Sequence, residues 1–175
     1  MKKQRGFTLI ELLTTLVIAA ILLTIGVPNL RDLIRNNRLA TATNTFVSSL
    51  NVARSEAIKQ GRRAQLCVST NTDNVSPTCS ATKTNWQLGW IVWVDSNTNG
   101  TLDPGETLRI AEPLPASLNV ALSVVQTSIQ INSQGAVTNP NLLIDICDNR
   151  TGEIGRQLRI LATGSVSLNS QYPCS

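Results

Sequence analysis

The chain reads as an α+β protein: a long N-terminal helix, membrane-spanning in its first half, packed on an antiparallel β-sheet domain. Three observations carry that reading. An apolar run, FTLIELLTTLVIAAILLTIGV, fills residues 7–27; helical periodicity then continues to Gly61; and from Arg63 the texture changes to short β-prone runs separated by turn residues. At 175 residues there is room for one globular domain beyond the apolar run.

From Phe7 to Val27 the run holds twenty-one residues, enough for a helix to cross a hydrocarbon core of about 30 Å. The basic leader MKKQRG precedes it. No small-residue cleavage site closes its far end, so it is expected to be retained as an anchor rather than removed as a secretory signal. Glu11 interrupts it. A lone carboxylate there costs roughly 2 to 3 kcal/mol on insertion scales, so a partner is expected. No Lys or Arg lies within the run. An α-amino group would serve if the chain were cut after Gly6, making Phe7 the new N-terminus.

The string Arg5-Gly6-Phe7-Thr8-Leu9-Ile10-Glu11, with Lys2 and Lys3 before it and an apolar helix after it, resembles the class III leader of type IV pilins and type II secretion pseudopilins. Pro28 matches a position where many of these pilins carry a proline. The resemblance implies that a prepilin peptidase cuts after Gly6 and methylates Phe7, and that Glu11 meets the N-terminus of a neighbouring subunit in a helical filament. It also implies a single-pass protein of the bacterial inner membrane with its C-terminal domain in the periplasm, later transferred to a pilus or pseudopilus. Other major and minor pilins would be its partners there.

Beyond Pro28, Leu30, Leu33 and Ile34, and then Phe46, Leu50, Ala53 and Ala57, recur at helical spacing. Pro28 is expected to kink the helix and Gly61 to stop it. The expected layout is a cleaved leader over 1–6, a transmembrane segment over 7–28, an amphipathic continuation over 29–61 and a β-rich domain over 62–175. The phrase Ala53-Arg54-Ser55-Glu56-Ala57-Ile58 near the helix end resembles the subgroup that holds the pseudopilin GspH and the minor pilins FimT and FimU. That resemblance implies the pilin-like GspH fold.

Eight runs then read as strands: AQLCVS, WQLGWIVWV, ETLRIA, LNVALSVV, SIQIN, NLLIDIC, RQLRILA and SVSLN. Trp86 and Trp90 share strand parity and Trp93 takes the other face, which suits core packing. Four cysteines, Cys67, Cys79, Cys147 and Cys174, all follow the anchor. An exported domain with an even count points to two disulfides with three possible connectivities. The preferred pairing is Cys67 with Cys79 and Cys147 with Cys174, since each pair encloses a loop-like segment. Zinc is disfavoured because histidine is absent and no cysteine spacing is C-x-x-C.

The net charge of +4 is concentrated early: without Lys2, Lys3 and Arg5, 12 basic residues face 11 acidic ones. Any nucleic-acid site must therefore be local. The local candidate is Arg150, Arg156 and Arg159, a cluster suited to phosphate contacts. DNA-binding FimT-type pilins carry a G-R-x-R motif, and Gly155-Arg156-Gln157-Leu158-Arg159 has one residue too many, placing its arginines on opposite strand faces. Charge at a strand edge is the competing reading.

Residues 95–106, DSNTNGTLDPGE, fit the calcium-loop pattern D-x-[DN]-x-[DN]-G-x5-E. Asp95, Asn97, Asn99, Asp103 and Glu106 would offer side-chain oxygens and Thr101 a carbonyl. A plain hairpin turn is the alternative, so calcium is a candidate ligand and no cofactor is required. With no histidine and no Gly-rich phosphate cradle after a strand, enzymatic chemistry finds no support. The expected function is that of a minor pilin in type IV pilus assembly or its tip complex, serving twitching, adhesion or DNA uptake. A DNA receptor for transformation and a minor pseudopilin of type II secretion are the alternatives.

Overall fold

In a computed structural model the described residues are 7–150 and 152–174, without the side chains of Glu153 and Ile154. The leader over 1–6, Gly6 included, lies outside them. Helix α1 runs Leu9–Gln60 with Pro28 inside it. Two compact units divide between Asn37 and Arg38. None of residues 7–37 is buried, and this unit contains the segment long and apolar enough to cross a membrane.

The second unit begins with the rest of α1. Its buried face is Leu39, Ala42, Thr43, Phe46, Ser49, Leu50, Ala53 and Ala57, three or four residues apart as one helical stripe requires. Leu30, Leu33 and Ile34 do not extend that stripe, being 56%, 55% and 44% exposed. Burial on the helix therefore starts at Leu39, although the apolar spacing starts at Leu30. Gly61 closes the helix with φ +62°. Gly61 N–H donates to Ile58 O and Arg62 N–H to Ala57 O, which is the Schellman arrangement that a left-handed glycine permits.

Eight strands follow: β1 (Ala64–Val68), β2 (Trp90–Val94), β3 (Thr107–Ala111), β4 (Leu118–Leu122), β5 (Ser128–Ile131), β6 (Leu142–Asp148), β7 (Gly152–Ile160) and β8 (Val166–Cys174). They form two four-stranded antiparallel sheets, ordered β3-β2-β1-β5 and β4-β6-β7-β8. The run from Trp86 to Val94 is not one strand, because Asn85 caps a short 3-10 turn over Trp86–Leu88 and Gly89 follows at φ +100°.

One core joins the α1 stripe to Leu66, Trp90, Val92 and Ile129 of the first sheet and to Val120, Ile144, Ile146 and Leu158 of the second. Phe46 sits 5.6 Å from the Trp86 ring and 5.0 Å from that of Trp90, both tilted. Ser49 on the same stripe accepts the Trp90 indole N–H at 3.0 Å, satisfying a donor that burial would otherwise strand. Strand β2 is buried along its whole length, since Ile91 and Trp93 enter a second cluster with Cys67, Cys79 and Leu102 on the opposite face. Burial on both sides explains why its sequence is a continuous apolar run instead of an alternation.

Arg54 and Ile58 take a structural place. A Cβ on Gly135 would lie 2.7 Å from Ile58 Cδ1 and 3.1 Å from Arg54 Nε, and one on Gly164 would strike Gly135 O. The turns that precede these glycines thus close onto the last turns of α1, where only glycine fits.

Candidate functional site

At the helix start, Thr8 and Glu11 bond to each other. The Glu11 carboxylate accepts Thr8 N–H at 2.9 Å and the Thr8 hydroxyl at 3.0 Å, while Thr8 Oγ1 lies 3.3 Å from Glu11 N. This is a capping box, which satisfies backbone donors that the first turn leaves open. Thr8-Leu9-Ile10-Glu11 before an apolar run is its sequence signature, and it gives Glu11 a partner within its own first turn. Phe7 is 87% exposed ahead of this cap.

The β2–β3 connection carries the candidate calcium loop. Asp95 is 2% exposed. Its Oδ2 accepts Arg63 Nη2 at 2.6 Å and Gly100 N–H at 3.1 Å. Its Oδ1 is buried with no donor, and Arg63 Nε is buried with no acceptor. Each such orphan costs on the order of 1 to 3 kcal/mol. Asn97 Oδ1 accepts Asn99 N–H, and Asn99 Oδ1 accepts Thr101 N–H, so both side chains curl along the loop. Their Nδ2 groups donate to Asp103 Oδ2 at 2.8 and 2.6 Å and hold that carboxyl below its usual pKa. Glu106 accepts Ser96 N–H at 2.8 Å and Asp103 N–H at 3.1 Å. Leu102 packs into the Cys67 and Trp93 cluster, anchoring the loop. Among the described residues no three His, Cys, Asp or Glu side chains stand together as a ready metal cluster. The loop thus has the predicted ligand order and one orphaned oxygen, with a guanidinium as its present counter-charge.

The three C-terminal arginines do not act alike. Arg150 pairs with Asp148 at 2.7 Å, with side chains 16% and 2% exposed. Arg156 donates to the carbonyls of Gly155 and Ser170. It stands opposite Ile146 on the parity of Leu158 and Ile160, whereas Arg159 is exposed on the other face, opposite Leu143 and Ser167. Arg159 is the most open of the three to a phosphate.

The cysteines join as Cys67–Cys79 and Cys147–Cys174. A Cβ on Gly155 would overlap Cys174 Sγ and lie 3.0 Å from Cys147 Sγ, so β7 passes this bridge only as glycine. On the outer face beside it, Asp145 accepts Gln157 Nε2 and the Tyr172 hydroxyl, each at 2.8 Å.

A family model described as Type II transport protein GspH matches residues 42–164, most of the second unit. The chain belongs to the GspH family. A second model, the prokaryotic N-terminal methylation motif, matches residues 1–27, ahead of the GspH region. Prepilin peptidase-dependent protein D of Escherichia coli K12 is 49% identical over 47 residues, which is 27% of this chain and 32% of that protein. The chain therefore matches about a third of that relative's length. Among solved structures, the type IV minor pilin FimU of Pseudomonas aeruginosa PAO1 superposes with a TM-score of 0.57 at 22% identity, over 77% of this chain and 90% of that one. The minor pseudopilin EpsH from the Type 2 Secretion System of Vibrio cholerae does so with 0.53 at 12% identity, over 76% and 97%. Both likenesses establish the fold: this GspH-family chain is a pilin-like helix on antiparallel sheets.

Proposed function

We propose that this GspH-family chain is a minor pilin of a type IV pilus, a structural subunit for assembly of the filament or its tip. One observation carries the reading: residues 9–27 are an apolar helical segment with no buried residue, and the packed domain begins only at Arg38. Such a segment needs an apolar surrounding. The membrane supplies it first, and the helical core of a filament supplies it afterwards. In this reading the peptidase frees the Phe7 amine, Glu11 pairs with that amine on a neighbouring pilin, and the β-domain is displayed outside the filament. The basic leader favours the cytoplasm for the N-terminus and the periplasm for the domain. The name of the FimU relative supports a pilus. The family description supports the second reading, a pseudopilin of type II secretion. DNA uptake has less support, because Arg150 and Arg156 are already engaged by protein partners.

A clean deletion in the native host, scored separately for surface pili, twitching, DNA uptake and secreted enzymes, tests the proposal. Loss of pili and twitching with secretion intact is expected. Loss of secretion with pili intact overturns it in favour of the pseudopilin.

A further inference from the structure

The loop Asp95–Glu106 is the sequence motif that filament assembly leaves without a task. We propose that it takes a calcium ion in exchange for the Arg63 guanidinium, the arrangement described above being the cation-free form of the site. The spacing supplies the ligand order, but spacing alone would equally suit a hairpin turn. The independent observation is the half-made ion pair beneath it.

A guanidinium and a carboxylate that fit each other form two parallel bonds. Arg63 and Asp95 form one, between Nη2 and Oδ2 at 2.6 Å, and leave Nε and Oδ1 buried and unpartnered. The Gly100 N–H bond to Oδ2 turns this carboxylate into the loop. Asp95 thus has a counter-charge without full coordination, and its buried, unpartnered Oδ1 is an oxygen that a hard cation would satisfy once Arg63 withdraws. Calcium suits such an oxygen because its six to eight ligands tolerate irregular geometry at roughly 2.3 to 2.6 Å.

The rest of the loop is prepared in part. Asn97 Oδ1 and Asn99 Oδ1 follow the turn of the loop; Asn97 Oδ1 accepts one backbone N–H and retains a lone pair, whereas Asn99 Oδ1 accepts both the Thr101 N–H and the Thr101 hydroxyl, which must turn away to free it. Glu106 is fixed at the loop end by two N–H groups. Asp103 must give up the two amide donors that hold it, and Arg63 must leave. Arg63 can leave, since its side chain is 40% exposed and swings toward solvent by breaking a single contact. With Asp95, Asp103 and Glu106 in one loop and one guanidinium beside them, an anionic excess remains that a divalent cation offsets. The exchange sets a weak affinity, in the range of about 0.1 to 1 mM that serves extracellular modules.

The test uses the full chain in detergent micelles, stripped with chelator and titrated with calcium chloride to about 10 mM, with magnesium chloride in parallel. Heat of binding and the thermal unfolding midpoint are read. Saturable binding and a raised midpoint are expected with calcium and not with magnesium. R63Q should bind about tenfold more tightly, because the competing closed form no longer taxes the affinity. N99A, which removes a ligand and leaves the Arg63 pair intact, should weaken binding. Absence of heat and of any shift in both the parent and R63Q overturns the proposal, as does equal affinity in the two. If R63Q does not fold, an unchanged affinity in N99A overturns it instead. The outcome is independent of which filament the chain serves.

Discussion

Tyr172 is the chain's single tyrosine, so its ionisation can be read without interference from another phenol. Its hydroxyl donates to Asp145 Oδ2 at 2.8 Å. Ionisation would remove that donor and set a phenolate beside a carboxylate, so the hydrogen bond first and the charge second raise the Tyr172 pKa above 10.0. The linkage has a definite sign. A group whose pKa is raised on folding contributes stability that is present below the unfolded pKa and lost as pH climbs through the folded one. Phenolate absorbance should therefore show a midpoint above 10 in the folded protein, at about 10 in denaturant, and the same lower value in folded D145A. A folded midpoint that D145A does not move would refute the pairing. At the same scale, the Asp148 and Arg150 pair was legible as two nearby charges but not as a buried pair, since burial of charged side chains is decided by the surrounding sheet.

The start of α1 is where one element carries two roles. Thr8 and Glu11 close the helix as a capping box in the chain itself, and the assembly proposal asks Glu11 to pair with an amine in another chain. The two roles separate by substitution, because Gln serves a capping box as Glu does but carries no charge. Glu11→Gln is expected to leave leader cleavage and membrane insertion intact while sharply reducing incorporation into filaments, scored by immunoblot of sheared surface fibres. Normal incorporation of this variant would assign Glu11 to the cap alone. Elements of this kind were the readable part of the sequence. Short β-prone runs between turn residues marked all eight strands, β2 by a continuous apolar run and not by alternation, and Gly61 marked the helix stop because only a left-handed residue lets the last carbonyls be satisfied. Trp86 reached its expected neighbours by another route. Asn85 and Gly89 make a 3-10 turn there, and local cap chemistry outweighed strand parity. The Arg63 and Asp95 contact was not readable, since it joins residues 32 apart that only the β1–β2 pairing brings together.

For the molecule as a whole, the burial boundary matters more than the helix boundary. Helix α1 is continuous over Leu9–Gln60, yet every buried residue on it lies at Leu39 or beyond. Periodicity alone could not place this limit, because Leu30, Leu33 and Ile34 repeat at the same spacing as the buried residues. A chain that begins at Arg38 keeps the full stripe from Leu39 to Ala57 and both disulfides. Exported to the periplasm, it should fold as a soluble monomer, unfold in one cooperative step and resist modification of its cysteines. A chain that begins at Asn51 loses Leu39, Ala42, Phe46 and Leu50, each no more than 2% exposed in the intact domain. Removing large side chains such as Leu39, Phe46 and Leu50 costs about 2 to 5 kcal/mol apiece, so together they match much or all of the roughly 5 to 15 kcal/mol that holds a domain folded. Their loss would also uncover Trp86 and Trp90, which Phe46 covers at 5.6 and 5.0 Å. Tryptophan emission then separates the two chains: blue-shifted for the one starting at Arg38, and red-shifted with no cooperative transition for the one starting at Asn51. If the shorter chain also unfolds cooperatively, the helix is a passenger on the sheets; if the longer one does not fold, residues before Arg38 stabilise a domain in which none of them is buried.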